Sequence, residues 1–262
     1  MAAQPRPTGA PTWLDLTVQD VEAAQKFYGA LFGWEFADQG EDYGNYSIIT
    51  KDGVPVGGLA LNMDGQGNPV TTGQGRWSIY LATDDIEQTV ADVQTAGGQL
   101  LMGPMRVPGS GHMAMIATPS GAKVGLWQAV EFAGIELPLQ PGTSAWFEAL
   151  TSDFDADLAF YRDVFNWEIA WMGPEGGTDG FKYVTNGAGE KATAGLCDAT
   201  MFFDDDRSYW RPYFMVQDSA QAVETIEATG GQVTDGPDDT EFGRITTVLG
   251  PEGETFQLQQ PL

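Results

Sequence analysis

The first regular pattern along the chain is at Thr12–Val18, where apolar and more polar positions alternate, as in a half-buried strand. One face of this predicted strand carries Leu14, Leu16 and Val18. The other face carries Trp13, Asp15 and Thr17. Neighbouring side chains of a strand point to opposite faces. We therefore expect Leu14, Leu16 and Val18 to pack against a helix, and Asp15 to lie on the opposite, concave side of the sheet.

A helix is predicted directly after this strand. Asp20 can cap its first turn, since a short acidic side chain accepts hydrogen bonds from free backbone amides. Ala24, Phe27 and Leu31 recur at helical spacing and form its apolar stripe. Gly33 supplies a residue that adopts the left-handed conformation and ends the helix.

Two further strands of this first module are predicted at Tyr46–Thr50 and Pro55–Leu61. The same plan then restarts with a strand at Trp77–Thr83. Asp85 then opens a second helix, which Gly97-Gly98 ends. Further strands are predicted at Gln99–Leu101, Met113–Ala117 and Lys123–Gln128. The resulting order is β-α-β-β-β, and the sheet and helix segments together indicate an α+β fold.

The whole arrangement occurs twice. Trp146 follows Trp13 by 133 residues, and Pro237 follows Pro104 by the same step. Aromatic pairs within each copy recur at this spacing as well. The sequence therefore predicts two homologous domains at 10–130 and 144–262, each of two β-α-β-β-β modules. The linker, 131–143, contains residues that break regular structure, namely Pro138, Pro141 and Gly142.

Composition narrows the classes of function. The 262 residues contain 12 Lys and Arg against 37 Asp and Glu, a formal net charge of −25, which disfavours nucleic acid as a partner. No apolar run approaches the roughly 18 residues of a membrane span. The first seven residues lack the apolar stretch of a secretory signal, and the single Cys197 excludes an intrachain disulfide. We therefore expect a cytoplasmic protein that is either a monomer with an internal pseudo-dimer or a homodimer.

The fourfold β-α-β-β-β plan resembles the vicinal oxygen chelate superfamily. The resemblance is carried by Val18-x-Asp20, by Phe27-Tyr28-x-x-Leu31-Phe32-Gly33-Trp34 and by Pro119-x-Gly121 before a final strand. That superfamily includes glyoxalase I, extradiol dioxygenases, fosfomycin resistance proteins and bleomycin-binding proteins. The resemblance implies curled mixed sheets that form cavities, with helices outside, and usually a divalent metal within.

The metal ligands of such proteins are missing at the matching positions. The first-strand position holds Trp13 or Trp146, and the last-strand position, usually Glu, holds Gly125 or Gln257. The next module offers Trp77-Ser78 in one half and Trp210-Arg211 in the other, and His112 is the only histidine. Because Zn, Ni, Mn and Fe need several converging imidazole or carboxylate donors, we expect no metal and no cofactor.

Strand alternation instead predicts cavities lined by tryptophan, with one carboxylate in each half. The expected ligand-binding residues are Trp13, Asp15, Trp77, His112, Trp127, Trp146, Glu148, Trp210, Arg244 and Gln257. The alternative for the tryptophans is that they only fill the barrel. For His112 and Arg244 the alternative is an exposed loop position, which the lack of a matched nucleophile beside a lone histidine favours. A buried carboxylate needs a partner, and Arg76, Arg211, a backbone amide, water or a ligand could provide it. Cys197 is expected to be a buried, unreactive thiol.

Two functions from different classes follow. The first is metal-independent binding of a small organic molecule, aromatic or cationic or both, as in bleomycin-binding relatives. The alternative is a glyoxalase-like lyase or isomerase, or another enzyme of the superfamily, in which Asp15 or Glu148 acts as general base.

Overall fold

A computed structural model describes residues 6–178, 180–203 and 205–262. The first half contains β1 Pro11–Val18, α1 Val21–Phe32, β2 Glu35–Asp38, β3 Ser47–Lys51, β4 Val54–Leu61, β5 Arg76–Ala82, α2 Ile86–Thr95, β6 Gln99–Val107, β7 Gly111–Ala117 and β8 Lys123–Ala129. The second half contains β9 Ser144–Thr151, α3 Phe154–Phe165, β10 Ala170–Trp171, β11 Tyr183–Thr185, β12 Gly195–Asp198, β13 Tyr209–Met215, α4 Ser219–Ala228, β14 Gln232–Thr240, β15 Gly243–Leu249 and β16 Thr255–Gln260. Met1–Pro5, part of the segment tested for a secretory signal, lies outside the described residues.

The strands form two eight-stranded mixed sheets with the same topology. The strand order is β2-β3-β4-β1-β5-β8-β7-β6 in the first sheet and β10-β11-β12-β9-β13-β16-β15-β14 in the second. In each half the first strand runs parallel to the last strand of its module, as β1 does to β4 and β9 to β12. The predicted α+β fold with two tandem β-α-β-β-β pairs is confirmed.

Helix boundaries follow the predicted capping residues. Asp20 accepts a hydrogen bond from the backbone amide of Ala23 at 2.9 Å, and Gly33 ends α1 with a φ of 66°. Asp153 caps α3 in the same way, and Asn166 ends it in the left-handed conformation. These caps fix where each helix begins and ends.

The edge strands differ most from the prediction. The predicted strand at Gln99–Leu101 extends to Val107, with two register irregularities. One lies between Leu100 and Met102, and the other, between Met102 and Met105, contains Gly103 and Pro104. The short β2 was not predicted, because its four residues lie at the edge of the sheet and only Phe36 among them is half-buried. Edge strands carry weaker alternation than central ones, because both faces are partly exposed to water.

Contacts divide the chain into two compact units that do not coincide with the two halves. The first unit comprises Met1–Trp13, Ile79–Gly134 and Trp146–Arg211. The second comprises Leu14–Ser78, Ile135–Ala145 and Pro212–Leu262. Each unit therefore combines a module of one half with a module of the other.

The core of the first unit is aromatic. Tyr161 stacks on Trp167 with ring centroids 4.5 Å apart and accepts a hydrogen bond from Trp210 Nε1 at 2.9 Å. Helix α2 packs against α3, where the fully buried Asp157 accepts hydrogen bonds from the hydroxyls of Thr118 and Ser120. These hydrogen bonds compensate the cost of burying a carboxylate between two helices.

The second unit has an equivalent core with different polar contacts. Tyr28 stacks on Trp34 at 5.6 Å, and its hydroxyl donates a hydrogen bond to the buried Glu254 at 2.8 Å. Glu252 accepts hydrogen bonds from the backbone amides of Gln19 and Asp20. Burial and the charge of Glu254 raise the pKa of Tyr28 well above its ordinary value.

No described helix is long and apolar enough to span a bilayer.

Candidate functional site

The predicted faces of the first strand are confirmed. Leu14, Leu16 and Val18 are at most 1 % exposed, whereas Asp15 and Thr17 on the other face are half-buried. We call this second side of each sheet, the side away from the helices, the open face. The candidate functional side chains lie on these open faces, and each sheet is described by itself.

In the first sheet the open-face carboxylate is held by a tyrosine. Asp15 on β1 pairs in register with Gly58 on β4. The Tyr46 hydroxyl lies over Gly58 and donates a hydrogen bond to Asp15 Oδ1 at 2.6 Å. A Cβ atom at Gly58 would overlap both the hydroxyl and the carboxylate, so the arrangement requires glycine at this position.

In the second sheet the corresponding carboxylate is held by an arginine. Glu148, 4 % exposed, pairs in register with Gly195 and accepts hydrogen bonds from Arg211 Nε at 2.8 Å and Nη2 at 2.6 Å. Tyr183 lies over Gly195, as Tyr46 lies over Gly58, but its hydroxyl accepts a hydrogen bond from Trp146 Nε1 at 3.0 Å. Arg211 was one of the partners expected for a buried carboxylate, and the structure confirms it for Glu148.

Exposed aromatic rings extend this second site. Phe181, 37 % exposed, stacks near Tyr183 with centroids 6.2 Å apart. Phe202, 58 % exposed, approaches Phe181 edge-on at the same distance of 6.2 Å. Aromatic side chains with this exposure offer surface to a flat ligand, because their faces are not covered by the core.

Strands β5, β6, β7 and β8 of the first sheet form an apolar open face. Two cross-strand rows follow from the register, one of Met102, Met115, Gly125 and Tyr80, the other of Met105, Met113, Trp127 and Ala82. We call these two rows the methionine face. Met102 and Met105 are 43 % and 45 % exposed, and Met113 and Met115 are half-buried. Flexible thioethers suit the binding of aromatic rings of variable shape.

The equivalent rows of the second sheet are polar. They contain Asp235, Thr247, Gln257 and Tyr213 in one row and Asp238, Ile245, Gln259 and Met215 in the other. We call these rows the polar face. Gln257, 3 % exposed, accepts a hydrogen bond from the Thr247 hydroxyl at 3.1 Å. The two sheets thus present opposite chemistry at matching backbone positions.

Trp13 and Trp127 are covered by a residue from the linker. Trp13 is 5 % exposed and contacts the edge of Phe132 at 4.9 Å, and Trp127 lies 6.2 Å from the same ring. Trp127 Nε1 also donates to the Phe132 carbonyl at 2.9 Å. Neither tryptophan therefore exposes a full ring face to a ligand.

Trp77 and Trp210 do not lie on the open faces, contrary to expectation. Trp77 packs edge-on against Tyr28 at 5.5 Å in the core of the second unit. Trp210 contacts Tyr161 and Trp167 in the core of the first. Alternation along β5 and β13 assigns the open face to Tyr80 and Arg211 instead, so matching tryptophans by the repeat alone selected the wrong side of the strand.

His112 and Arg244 were expected at the mouth of a cavity or in exposed loops, and the structure places them on strands β7 and β15. His112 pairs with Arg106 and Gln128, and the Gln128 side chain binds the backbone amide of Ile86 at the start of α2. Arg244 pairs with Gln260 and forms an exposed ion pair with Asp239 at 2.6 Å. Both residues are one position out of phase with the methionine and polar faces, so neither lines an open face.

The described residues do not fit a divalent metal at the expected positions. Within the described ranges, no group of three or more His, Cys, Asp or Glu side chains could hold such an ion. Glu148 is already matched by the guanidinium of Arg211, and Asp15 accepts a hydrogen bond from the Tyr46 hydroxyl. Cys197 is buried, and burial together with the charge of Glu148 raises the pKa of its thiol, so it stays protonated rather than becoming a thiolate ligand.

Comparison with known proteins agrees with this architecture. The profile of the Glyoxalase/Bleomycin resistance protein/Dioxygenase superfamily matches residues 11–126 and again residues 143–258. The chain belongs to this superfamily. Its β-α-β-β-β modules are thus those of a tandem glyoxalase-like protein, as the sequence motifs indicated.

Several relatives match over nearly the full length. The chain is 34 % identical over 258 residues to CFP32 of Mycobacterium tuberculosis, a protein provisionally named a glyoxylase, covering 97 % of this chain and 95 % of that protein. It is 33 % identical over 265 residues to the anthracycline biosynthesis protein DauV of Streptomyces sp. strain C5, covering 95 % and 92 %.

Solved structures share the fold at low identity. The Mn(II)-bound glyoxalase of Novosphingobium aromaticivorans aligns with a TM-score of 0.64 at 15 % identity, covering 98 % of this chain and 83 % of that one. The 2,3-dioxygenase LapB of Pseudomonas sp. KL28 aligns with a TM-score of 0.65 at 13 % identity, covering 97 % and 93 %. These similarities concern the fold alone.

Sequence reasoning missed the tyrosines and the methionine face. Tyr183 and Gly195 follow Tyr46 and Gly58 by the same step of 137 residues, a second repeat frame that reveals both pairs. The four methionines become a group only once the irregularities of β6 bring Met102 and Met105 into register with β7. No regular alternation would place both on one face.

Proposed function

We propose that the protein binds a small planar aromatic molecule without a metal ion, and that the methionine face is the principal contact surface. The observation that carries this proposal is the pair of cross-strand rows on β5–β8. There, half-exposed methionines stand beside Trp127 and Tyr80, whereas the second sheet has Asp, Thr and Gln. Sulfur–aromatic contacts and burial of apolar area favour a flat ring on such a surface.

Two further observations support an aromatic rather than a cationic ligand. The carboxylates that would attract a cation accept hydrogen bonds from within the protein, Asp15 from Tyr46 and Glu148 from Arg211. DauV and DnrV, both about one-third identical to this chain, are named for the biosynthesis of anthracyclines, which are planar aromatic compounds. An extended, fused aromatic ring system is therefore the ligand class that we favour.

Calorimetric titration with a hydroxyanthraquinone tests the proposal. Saturable binding is expected for the wild-type protein, with equal affinity after treatment with a chelator and after addition of Mn²⁺. Met102→Asp and Met105→Asp introduce the residues that the second half carries at the same backbone positions. Each is expected to weaken binding about tenfold, because a carboxylate on the contact surface would lose water without gaining a partner.

The matched controls are Asp235→Asn and Asp238→Asn on the polar face, which should leave the affinity unchanged. Equal affinity in the methionine variants and the wild type would refute the assignment of the ligand to the methionine face. Binding that appears only with Mn²⁺ would refute the metal-independent proposal.

A second candidate is an enzyme in which Asp15 acts as general base, and the short hydrogen bond from Tyr46 favours it. A tyrosine hydroxyl beside a half-buried carboxylate can hold and pass a proton at Oδ1. Glu148 is a poorer base, because its carboxylate already accepts two charge-assisted hydrogen bonds from Arg211. Turnover of an α-ketoaldehyde that is lost in Asp15→Asn but kept in Glu148→Gln would favour this enzyme over a binding protein.

A further inference from the structure

A cavity of about 310 Å³ lies at the tip of the β6–β7 hairpin, away from the open face. Arg106, Ser110, His112, Val130 and Glu131 line it, and all of them belong to the first unit. The backbone is fixed there by the Ser110 carbonyl, which accepts hydrogen bonds from the amides of Val130, Glu131 and Phe132. The cavity is therefore built on a rigid turn, and its size suits a small organic molecule.

The side chains of this cavity present hydrogen-bond donors. Arg106 and His112 are directly paired across the two strands, so their side chains lie on the same face. Arg106 is exposed and forms no ion pair with any described residue. Ser110 adds a hydroxyl to the lining.

His112 contributes a donor for a separate reason. Its Nδ1 atom is buried and forms no hydrogen bond with any described group. An unpaired buried nitrogen costs less as a bare acceptor than as an N–H group, because a buried donor without a partner loses its hydrogen bond to water. Of the two neutral tautomers, the one with the proton on Nε2 is thus favoured, and the ring offers Nε2–H as its donor.

The second half fills the equivalent place with its own acid. Asp239 stands at the position of Arg106, and Arg244 at that of His112. Arg244 Nε and Nη2 donate to the two carboxylate oxygens of Asp239 at 2.6 Å and 3.2 Å. The first half keeps donors at both positions and lacks this carboxylate.

We propose that the Arg106–His112 cavity binds the carboxylate of a small organic acid. The guanidinium and the Nε2–H group of His112 would take the two carboxylate oxygens, as Arg244 takes those of Asp239 in the second half. Glu131 also lines the cavity, and its negative charge opposes the ligand. This site is distinct from the methionine face, because His112 and Met113 point to opposite sides of β7.

Because His112 is the only histidine, its ring gives a single imidazole signal in proton–nitrogen correlation spectra. In the free protein this signal should report the Nε2–H tautomer. Titration with benzoate should shift it saturably, whereas chloride at equal ionic strength should not. A spectrum of the Nδ1–H tautomer, or a shift that rises linearly with both salts, would overturn the proposal.

Four variants sharpen the test. Arg106→Gln should weaken benzoate binding about tenfold, since it removes the charged partner of the carboxylate. Glu131→Gln should tighten binding, because it removes a like charge from the cavity. Arg244→Gln is the matched control in the second half and should have no effect. Equal benzoate affinity in Arg106→Gln and the wild type would refute the site, and Met105→Asp should leave it intact whatever the outcome at the methionine face.

Discussion

The two sheets have one backbone topology and two different open faces. In the first sheet, Asp15 is held by a tyrosine hydroxyl, and the rows on β5–β8 are rich in methionine. In the second, Glu148 is held by a guanidinium, and the matching rows contain Asp, Thr and Gln. The comparison shows that a duplicated fold can keep its architecture while its two copies acquire distinct surface chemistry.

The helix-facing side of the same strands explains why the architecture is kept. Leu14, Leu16 and Val18 in the first copy and Phe147, Ala149 and Thr151 in the second are all buried. Substitutions there disturb close packing and cost free energy of folding. Positions on the open face are less constrained by packing, so the two copies could diverge there without loss of the fold.

The largest expected effect comes from breaking the ion pair of the second sheet. Arg211→Met should lower the free energy of unfolding by about 3–5 kcal/mol, because it leaves the buried Glu148 without its charged partner. Chemical denaturation monitored by tryptophan fluorescence measures this loss.

Its control is the double variant Glu148→Gln with Arg211→Met, which should recover most of the stability because no buried charge is left unmatched. A single Arg211→Met variant as stable as the wild type would mean that Glu148 does not depend on Arg211.

Transferring the methionine face to the second sheet tests whether these rows alone decide binding. The triple variant Asp235→Met, Asp238→Met and Thr247→Met gives the second sheet the residues of the first at three matching positions. Calorimetry with the hydroxyanthraquinone should then show a second binding event at affinity within about tenfold of the first. Unchanged stoichiometry would show that methionine rows are insufficient without Trp127.

A smaller difference is expected between the two tyrosines that lie over glycine. Tyr46→Phe removes the hydrogen bond to Asp15 and should cost about 1–3 kcal/mol, since a half-buried carboxylate loses a donor. Tyr183→Phe removes the acceptor of Trp146 Nε1, a hydrogen bond between two neutral groups, and should cost about 1 kcal/mol. Denaturation of both variants compares them directly, and a larger loss in Tyr183→Phe would reverse the comparison.

The smallest expected effect is a pH dependence in the second unit. Burial raises the pKa of Glu254 above its ordinary value of 4.5, so the folded protein favours the protonated acid. The stability that this provides is present below pH 4.5 and is lost as pH rises through the raised pKa.

The control is Glu254→Gln, which has no carboxyl group to ionise. As pH rises from about 4 to 7, the wild type should therefore lose stability relative to Glu254→Gln, which denaturation at several pH values would reveal. A constant difference between the two proteins would show that Glu254 does not titrate with a raised pKa.

The sequence predicted most of the fold because its signals are local. Asp20 and Gly33 mark the ends of α1, and the alternation of Leu14, Leu16 and Val18 identifies the helix-facing side of β1. Each signal depends on residues a few positions apart. The second copy of the repeat shows the same signals again, which supports each prediction independently. The edge strands β2 and β6 were missed or shortened because exposure on both faces removes the alternation.

The site was less predictable, because it depends on register between strands that are distant in the chain. Asp15 and Glu148 were identified from alternation, but Tyr46 meets Asp15 only through the pairing of β1 with β4. Trp77 was expected to line a cavity but packs in the core, because the repeat identifies equivalent positions without saying which way they point.

The sequence by itself determined the duplicated α+β fold, the positions of its helices and the superfamily. These depend on periodicity, capping residues and internal similarity, all of which can be read along one chain. Only the tertiary structure decided that the units join modules from different halves, that Arg211 neutralises Glu148, and that four methionines share one face. The physical reason is that strand register and irregularities set which side chains meet, and a shift of one residue reverses every face.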